Sequence, residues 1–330
     1  MAISLEEIKK LRTTTGAGLG DCKKALEEAE GNMEAAVEIL RKKGQAVAAK
    51  RSDRETSNGC VLVKVENGFA AMLALKCETD FVANNADFIA LTQSILDLAV
   101  ANKCADLEAV KALPMGGATV QDAVTDRSGI TGEKMELDGY LTLEGEHIAA
   151  YNHMNRNTLC ALVQLNNEQP EAAKAVAIQV AAMNPVAIDE ASVPAEVVAN
   201  EEKRAVEKTQ EEMVKKAVDA ALKKAGFNLY IAESEEHLEE GIRKGNITEA
   251  QADEIRALKA KTAEEKAASL PAEMIQNIAK GRMNKFFKEF TLVNQEMALI
   301  DGNPSVKDYL HSLDKELAVV AFRRFTLSAE

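Results

Sequence analysis

At roughly 100–200 residues per domain, a chain of 330 residues predicts two to four units, each able to bury a core. Its 40 Lys and Arg face 53 Asp and Glu, a net charge of −13. That balance argues against gripping nucleic acid or an anionic membrane, which needs a positive footprint. Apolar residues make up 46% and charged ones 28%, a globular composition.

The N-terminus carries Glu6 and Glu7 and no apolar core, so it does not read as a secretory signal. Ser4 with Glu7 forms a capping box before Leu5, Ile8 and Leu11. Thr15 to Gly20 holds three glycines and predicts a tight loop. Asp21 and Asn32 cap two further helices, the last ended by Gly44. Lys50 to Asn58 is polar and reads as a linker. From Cys60 the period changes. Val61, Val63 and Val65 alternate, as do Phe69, Ala71, Leu73 and Leu75, around an Asn67-Gly68 hairpin signal. Thr79-Asp80-Phe81-Val82 follows, then a helix carrying Phe88, Leu91, Ile95 and Leu98. After a turn at Gly116-Gly117, Met135 to Leu143 alternates as a strand.

A second unit repeats this order. Glu146–Tyr151 and Thr158–Asn166 predict two strands, and Glu171–Met183 a helix. From Val197 to about Phe290 the chain is charged and helical. One apolar stripe runs Val206, Met213, Ala217, Ala221 and Leu222; another Leu238, Ile242, Ile255 and Leu258; a third Ile275, Ala279, Met283, Phe286 and Phe290. This predicts a protruding helical hairpin rather than a compact core. Met297–Ile300 predicts a short strand, Ser305 with Asp308 a cap, and Val320–Phe325 a last strand. The class is α+β.

Catalytic signatures are missing. There is no phosphate-binding GxxxxGK[ST] loop and no HExxH, and the four histidines lack metal-ligand spacing. No metal or cofactor is expected. The five cysteines, with no CxxC pair, predict free thiols in a reducing cytosol. Cys77 lies beside Glu78 and Asp80, which disfavour a thiolate and make a poor nucleophile. The glycine loop at Thr15 to Gly20 could hold a phosphate, but no strand precedes it, so a helix turn or protein contact fits better. Thr79 to Val82 lies between strand and helix, where functional loops sit. On pattern alone, Asp80 and Phe81 read there as a helix cap and a core anchor.

Several stretches together carry a resemblance. Leu11-Arg12, Thr15-Gly16-Ala17-Gly18-Leu19, Asp21 and Lys23-Lys24-Ala25-Leu26 are similar to the first signature of the bacterial elongation factor Ts family. Cys77-Glu78-Thr79-Asp80-Phe81-Val82-Ala83 resembles its second, and Gly281-Arg282-Met283 before Lys285-Phe286 also looks like that family. The resemblance implies a cytoplasmic guanine-nucleotide exchange factor of translation elongation, not an enzyme. Its partner would be elongation factor Tu, GDP-bound and nucleotide-free, with no direct nucleic acid or membrane contact. It implies a ubiquitin-associated-like module at 1–50, a linker at 51–58 and a core subdomain at 59–144. A second core subdomain would comprise 145–186 and 291–330. A coiled-coil arm would span 187–290, enlarged at about 202–270. In the family, the aromatic ring wedges between partner helices and the acid perturbs the magnesium site. Carried over, Phe81 and Asp80 act, and Thr79 and Val82 shape the loop. Arg12, Leu19, Gly20, Gly132 and His153 match family contacts. Asp138-Gly139 departs from the family's arginine pair. A pure adaptor without exchange and a cysteine hydrolase are the competing readings. Whether the arm closes on itself or forms a homodimer stays open.

Overall fold

The computed structural model describes residues 3–328. Three helices come first: α1 (Leu5–Thr15), α2 (Leu19–Glu28) and α3 (Met33–Lys50). The Ser4–Glu7 capping box forms at α1. Leu11, Cys22, Ala25, Leu26 and Ala36 make the small core. Gly44 does not end the third helix. It lies inside α3, because a glycine facing another backbone can be kept for close packing despite its poor helix propensity.

An antiparallel hairpin follows, β1 (Asn58–Glu66) and β2 (Phe69–Cys77). Asn67 and Gly68 both take positive φ, +49° and +73°, the two left-handed positions that a tight hairpin turn needs. A one-turn helix α4 (Asp80–Ala83) leads into α5 (Ala86–Ala101) and α6 (Leu107–Lys111). The Gly116-Gly117 turn joins two short strands, β3 (Pro114–Met115) and β4 (Ala118–Thr119), before α7 (Val120–Thr131) and β5 (Met135–Glu144). The sheet order is β1-β2-β5. All of β2 from Phe69 to Leu75 is buried, because both faces of the sheet are covered. Its odd residues, Phe69 to Leu75, pack on Phe88, Ile95 and Leu96 of α5. Its even residues, Ala70, Met72 and Ala74, face a second sheet.

That second sheet consists of β6 (Ile148–Asn152), β7 (Leu159–Leu165) and a later strand β8 (Val319–Thr326), in the order β6-β7-β8. Helix α8 (Pro170–Met183) covers its other face, over buried Ala161, Val163 and Leu165. Both sheets are hairpins whose second strand later gains a third, so the shared element order extends to a shared topology. Between the sheets, a Cβ on Gly139 would lie 2.4 Å from the Phe325 ring. The Asp138-Gly139 departure therefore makes room for an aromatic, and Asp138 itself pairs with Lys76. The short strand expected at Met297–Ile300 is not formed. Met297 donates to Pro304 O at 2.9 Å, and only Glu296 bridges Ser305. Two successive turns, Met297–Ile300 and Ile300–Asn303, use up those backbone groups instead.

The chain divides into two compact units. One ends at Ile188 and resumes at Glu296, and the other is Asp189–Gln295. In the second lie α9 (Ala195–Lys224), α10 (Leu229–Ala232), α11 (Glu235–Arg243), α12 (Glu249–Ala268) and α13 (Ala272–Phe290). The remaining helix, α14 (Val306–Leu313), belongs to the first unit and is capped by Ser305. The fully buried line of α9 is Ala205, Thr209, Val218 and Leu222; Val206, Met213, Ala217 and Ala221 are only half-buried. The expected stripe is thus rotated, because α9 packs on two different helices along its length. Near its start it meets Ala279 and Met283 of α13. Near its end, Val218 and Leu222 join Ala232, Leu238, Ala252 and Ile255. That cluster is a compact core rather than a simple two-helix seam. Among the described residues no helix is long and apolar enough to cross a membrane.

Arg282 fixes how α13 sits on α9. Its Nη2 donates to Glu212 Oε2 at 2.6 Å and its Nε to Thr209 Oγ1 at 3.1 Å, with Thr209 buried. Polar groups at a helix seam favour one register over its neighbours. Arg282→Ala is expected to cost about 1–2 kcal/mol, read as a lower urea midpoint for the full chain. An unchanged midpoint would deny the pair that role.

Candidate functional site

The stretch Thr79 to Val82 is a single helical turn between β2 and α5. Thr79 caps it, accepting from Val82 N–H at 3.4 Å. The cap that pattern alone assigned to Asp80 therefore belongs to Thr79, and Asp80 is the exposed first helical residue. The core-anchor reading of Phe81 also fails, since that side chain is 86% exposed. The reason is rotational. In one turn, half-buried Val82 and Ala83 take the inner face against the sheet–helix core, which leaves Asp80 and Phe81 outside.

The turn is tied down by two carboxylates. Glu133 accepts from Thr79 Oγ1 at 2.6 Å and from Thr79 N–H at 3.1 Å. A capping box normally takes its carboxylate from the third helical residue. Here that residue is Val82, and Glu133 supplies the group from 54 positions away. Glu78 points the other way along the same seam. It accepts from Lys134 N–H at 2.7 Å and from Arg51 Nη1 at 2.9 Å, with Arg54 at 3.5 Å. The Lys134 amide, and then Arg51 and Arg54, hold its carboxyl below the usual range. Arg51 and Arg54 come from the segment that sequence reads as a linker, and Thr56 of that segment donates to Glu136 at 2.6 Å. Sequence reasoning missed Glu133, Arg51 and Arg54. The one available signal was a threonine cap lacking an acid or amide three residues on.

The other expected site residues fall in three places. Gly132, at φ +73°, closes the C-terminus of α7, so Glu133 draws its loop onto the Phe81 turn. Arg12, in the last turn of α1, and Leu19 and Gly20, in the first turn of α2, are exposed around the loop that joins those helices. His153 lies in the β6–β7 turn, half-buried, with Tyr151 Oη 3.3 Å from its Nδ1. That turn approaches the Phe81 turn through other residues. Asn157 O accepts from Val61 N–H at 2.7 Å, and a cleft of about 260 Å³ is lined by Asp80, Asn84, Arg156 and Asn157 but not by His153.

Phe81 and Asp80 thus stand side by side in solvent on a turn clamped from below, free to meet another surface. A family model for elongation factor Ts matches residues 78–329. The chain is 59% identical to an elongation factor Ts of Phocaeicola vulgatus and 57% identical to one of Parabacteroides distasonis, each over the whole of both chains. One of Porphyromonas gingivalis, also covered end to end, is 40% identical. The chain belongs to the elongation factor Ts family. The family match begins at Glu78 and so takes in the whole Phe81 turn, both clamping carboxylates and the helices α9 to α13. All five cysteines are free and buried. Burial pushes the Cys77 thiol up to about 12, with Glu133 adding to it, which disfavours the thiolate there.

Proposed function

We propose that this chain opens the nucleotide site of elongation factor Tu by inserting Phe81, while Asp80 disturbs the magnesium ion beside it. As a member of its family the chain is a guanine-nucleotide exchange factor of translation elongation. It binds elongation factor Tu carrying GDP, displaces magnesium and lets GDP leave so that GTP can bind. No covalent step is needed. The observation that supports this reading most is the 86% exposure of Phe81 on a turn held by Glu133. An apolar ring left in water that gains a pocket in one partner state only will favour that state. Coupling is reciprocal, so whatever the chain does to GDP affinity GDP does to the chain's affinity.

Arg12, Leu19 and Gly20 are proposed to meet the same GTPase domain, Gly132 at the end of α7 to make a further contact with the partner, and His153 to face another domain of the partner. On this reading 1–50 is a ubiquitin-associated-like module joined by a linker at 51–58. Residues 59–144, and 145–186 with 291–330, form the two core subdomains. Residues 187–290, with the enlargement at about 202–270, serve as a coiled-coil arm in a cytoplasmic protein that makes no direct contact with nucleic acid or membrane. α9 buries its apolar line on α12 and α13 of its own chain, which supports a self-closed arm over a homodimer through it.

The test is release of labelled GDP from purified elongation factor Tu with and without the chain. Binding without faster release would leave an adaptor. Asp80→Asn separates charge from shape. The Thr79 cap survives, and removing one acid from a helix's first turn costs about 0.3–1 kcal/mol at most. An anion near a magnesium site alters its electrostatics, so the variant is expected to fold normally and to exchange more slowly across a magnesium titration. Identical exchange at every magnesium level would remove Asp80 from the mechanism.

A further inference from the structure

Helix α7 was not expected from the sequence, yet two of its groups and one just past its end tie distant parts of the first unit together. In its first turn Asp122 pairs with Arg41 of α3 at 2.7 Å. Two turns on, Gly129 crosses Gly44 of α3 so closely that a Cβ on Gly129 would lie 2.2 Å from Gly44 Cα. Just past its end, Glu133 holds Thr79. At 1.5 Å per residue, 12 helical residues span about 18 Å. One stiff element therefore carries the three-helix module at one flank and the Phe81 turn at its tip.

We propose that α7 is a strut that sets the N-terminal module in register with the Phe81 turn, and that Gly129 is its positioning residue on the module side. The inference rests on the reading above, in which Arg12, Leu19 and Gly20 on the module and Phe81 on the turn engage one partner together. Two rigid contacts at a fixed spacing bind as one surface, and a shift in that spacing costs the joint contact even when each survives alone. The crossing is asymmetric in a way that makes it testable. A Cβ on Gly44 would meet Thr125 O at 3.3 Å, Gly129 Cα at 3.5 Å and Asp126 Cα at 3.6 Å, none of them a forbidden approach. Alanine gains the same helix propensity at either glycine, so only the crossing separates the two variants.

In the full chain, spin labels on Glu28→Cys and Ala90→Cys would report the distance from module to core. The native thiols are all buried and leave the introduced ones to react. Gly129→Ala is expected to move the distance by more than about 1 Å, the difference between a forbidden approach and ordinary contact. It should also slow GDP release about fivefold or more, the size of a typical coupling between sites. Gly44→Ala, whose Cβ needs only a few tenths of an ångström of yielding from the α7 backbone, should change both clearly less. Combined with Leu19→Ala, the Gly129→Ala loss should be less than multiplicative, because both act through the module's contact. An unchanged distance in folded Gly129→Ala, or equal effects of the two alanines, would overturn the strut. Should Gly129→Ala not fold, Arg41→Gln loosens the same joint without a clash, and an unbroadened distance there overturns it equally. The distances report the strut even if Phe81→Ala leaves exchange intact, so failure of the exchange reading is told apart from failure of this one.

Discussion

Phe81→Ala is expected to slow GDP release from elongation factor Tu by roughly one to two decades while leaving the chain's own stability almost untouched. The two halves of that expectation come from the same number. A side chain 86% exposed contributes little to the fold, and surface substitutions fall within about 0.5 kcal/mol. A phenylalanine anchored in a core would instead cost about 3–5 kcal/mol on truncation. Burying such a ring in a partner supplies about 1.5–3 kcal/mol, which is roughly tenfold to a hundredfold in a rate or equilibrium constant. Exchange accelerated by thousands-fold would therefore need the module contacts as well. Thermal unfolding and GDP release measured on the same preparation check this. A large fall in melting temperature with normal specific activity would return Phe81 to a structural role.

Glu133→Ala should come next in effect. It removes both acceptors of Thr79, at 2.6 and 3.1 Å, and leaves a part-buried hydroxyl and amide to find water. Loss of an N-cap costs about 0.5–2 kcal/mol, concentrated here on one helical turn that has few other ties. The turn is expected to fray and exchange to fall about tenfold, with most of the fold's stability kept. Glu133→Gln keeps an acceptor for the amide and a group to pair with the hydroxyl, so it should recover most of the loss. If alanine and glutamine behave alike, geometry at Thr79 is not what Glu133 supplies. The neighbouring Glu78 adds a pH dependence. Its carboxyl is held low in the folded chain by the Lys134 amide first and then by Arg51 and Arg54. A group depressed on folding gives stability that is present above its unfolded value, about 4.3 for glutamate, and is lost as pH falls through the folded value. The clamp should therefore hold at neutral pH and open only in acid below that range, seen as earlier amide exchange at Thr79 to Asn84. A clamp that loosened between pH 6 and 8 would point to another group.

Elements whose causes are local were legible in the amino-acid sequence. Asn67-Gly68 needs two left-handed residues and has them. The box of Ser4 with Glu7 satisfies orphan helix amides from within four residues. Strand alternation around Val61 and Phe69 reports a sheet with buried faces, and the Thr79–Val82 stretch stood out because a strand ends there and a helix begins. Contacts between distant segments were left to the tertiary structure. Glu133 reaches Thr79, Arg51 reaches Glu78 across 27 positions, and Gly44 continues a helix because Gly129 lies against it. The apolar line of α9 turns along its length since α13 covers one part and α12 another. Periodicity gives the width of a buried face but not which neighbour covers it. Whether Phe81 pointed inward or outward was of that second kind. Its position in sequence allowed both, and the inward places on a single turn were taken by Val82 and Ala83, packed on a core assembled from β1, β2 and α5.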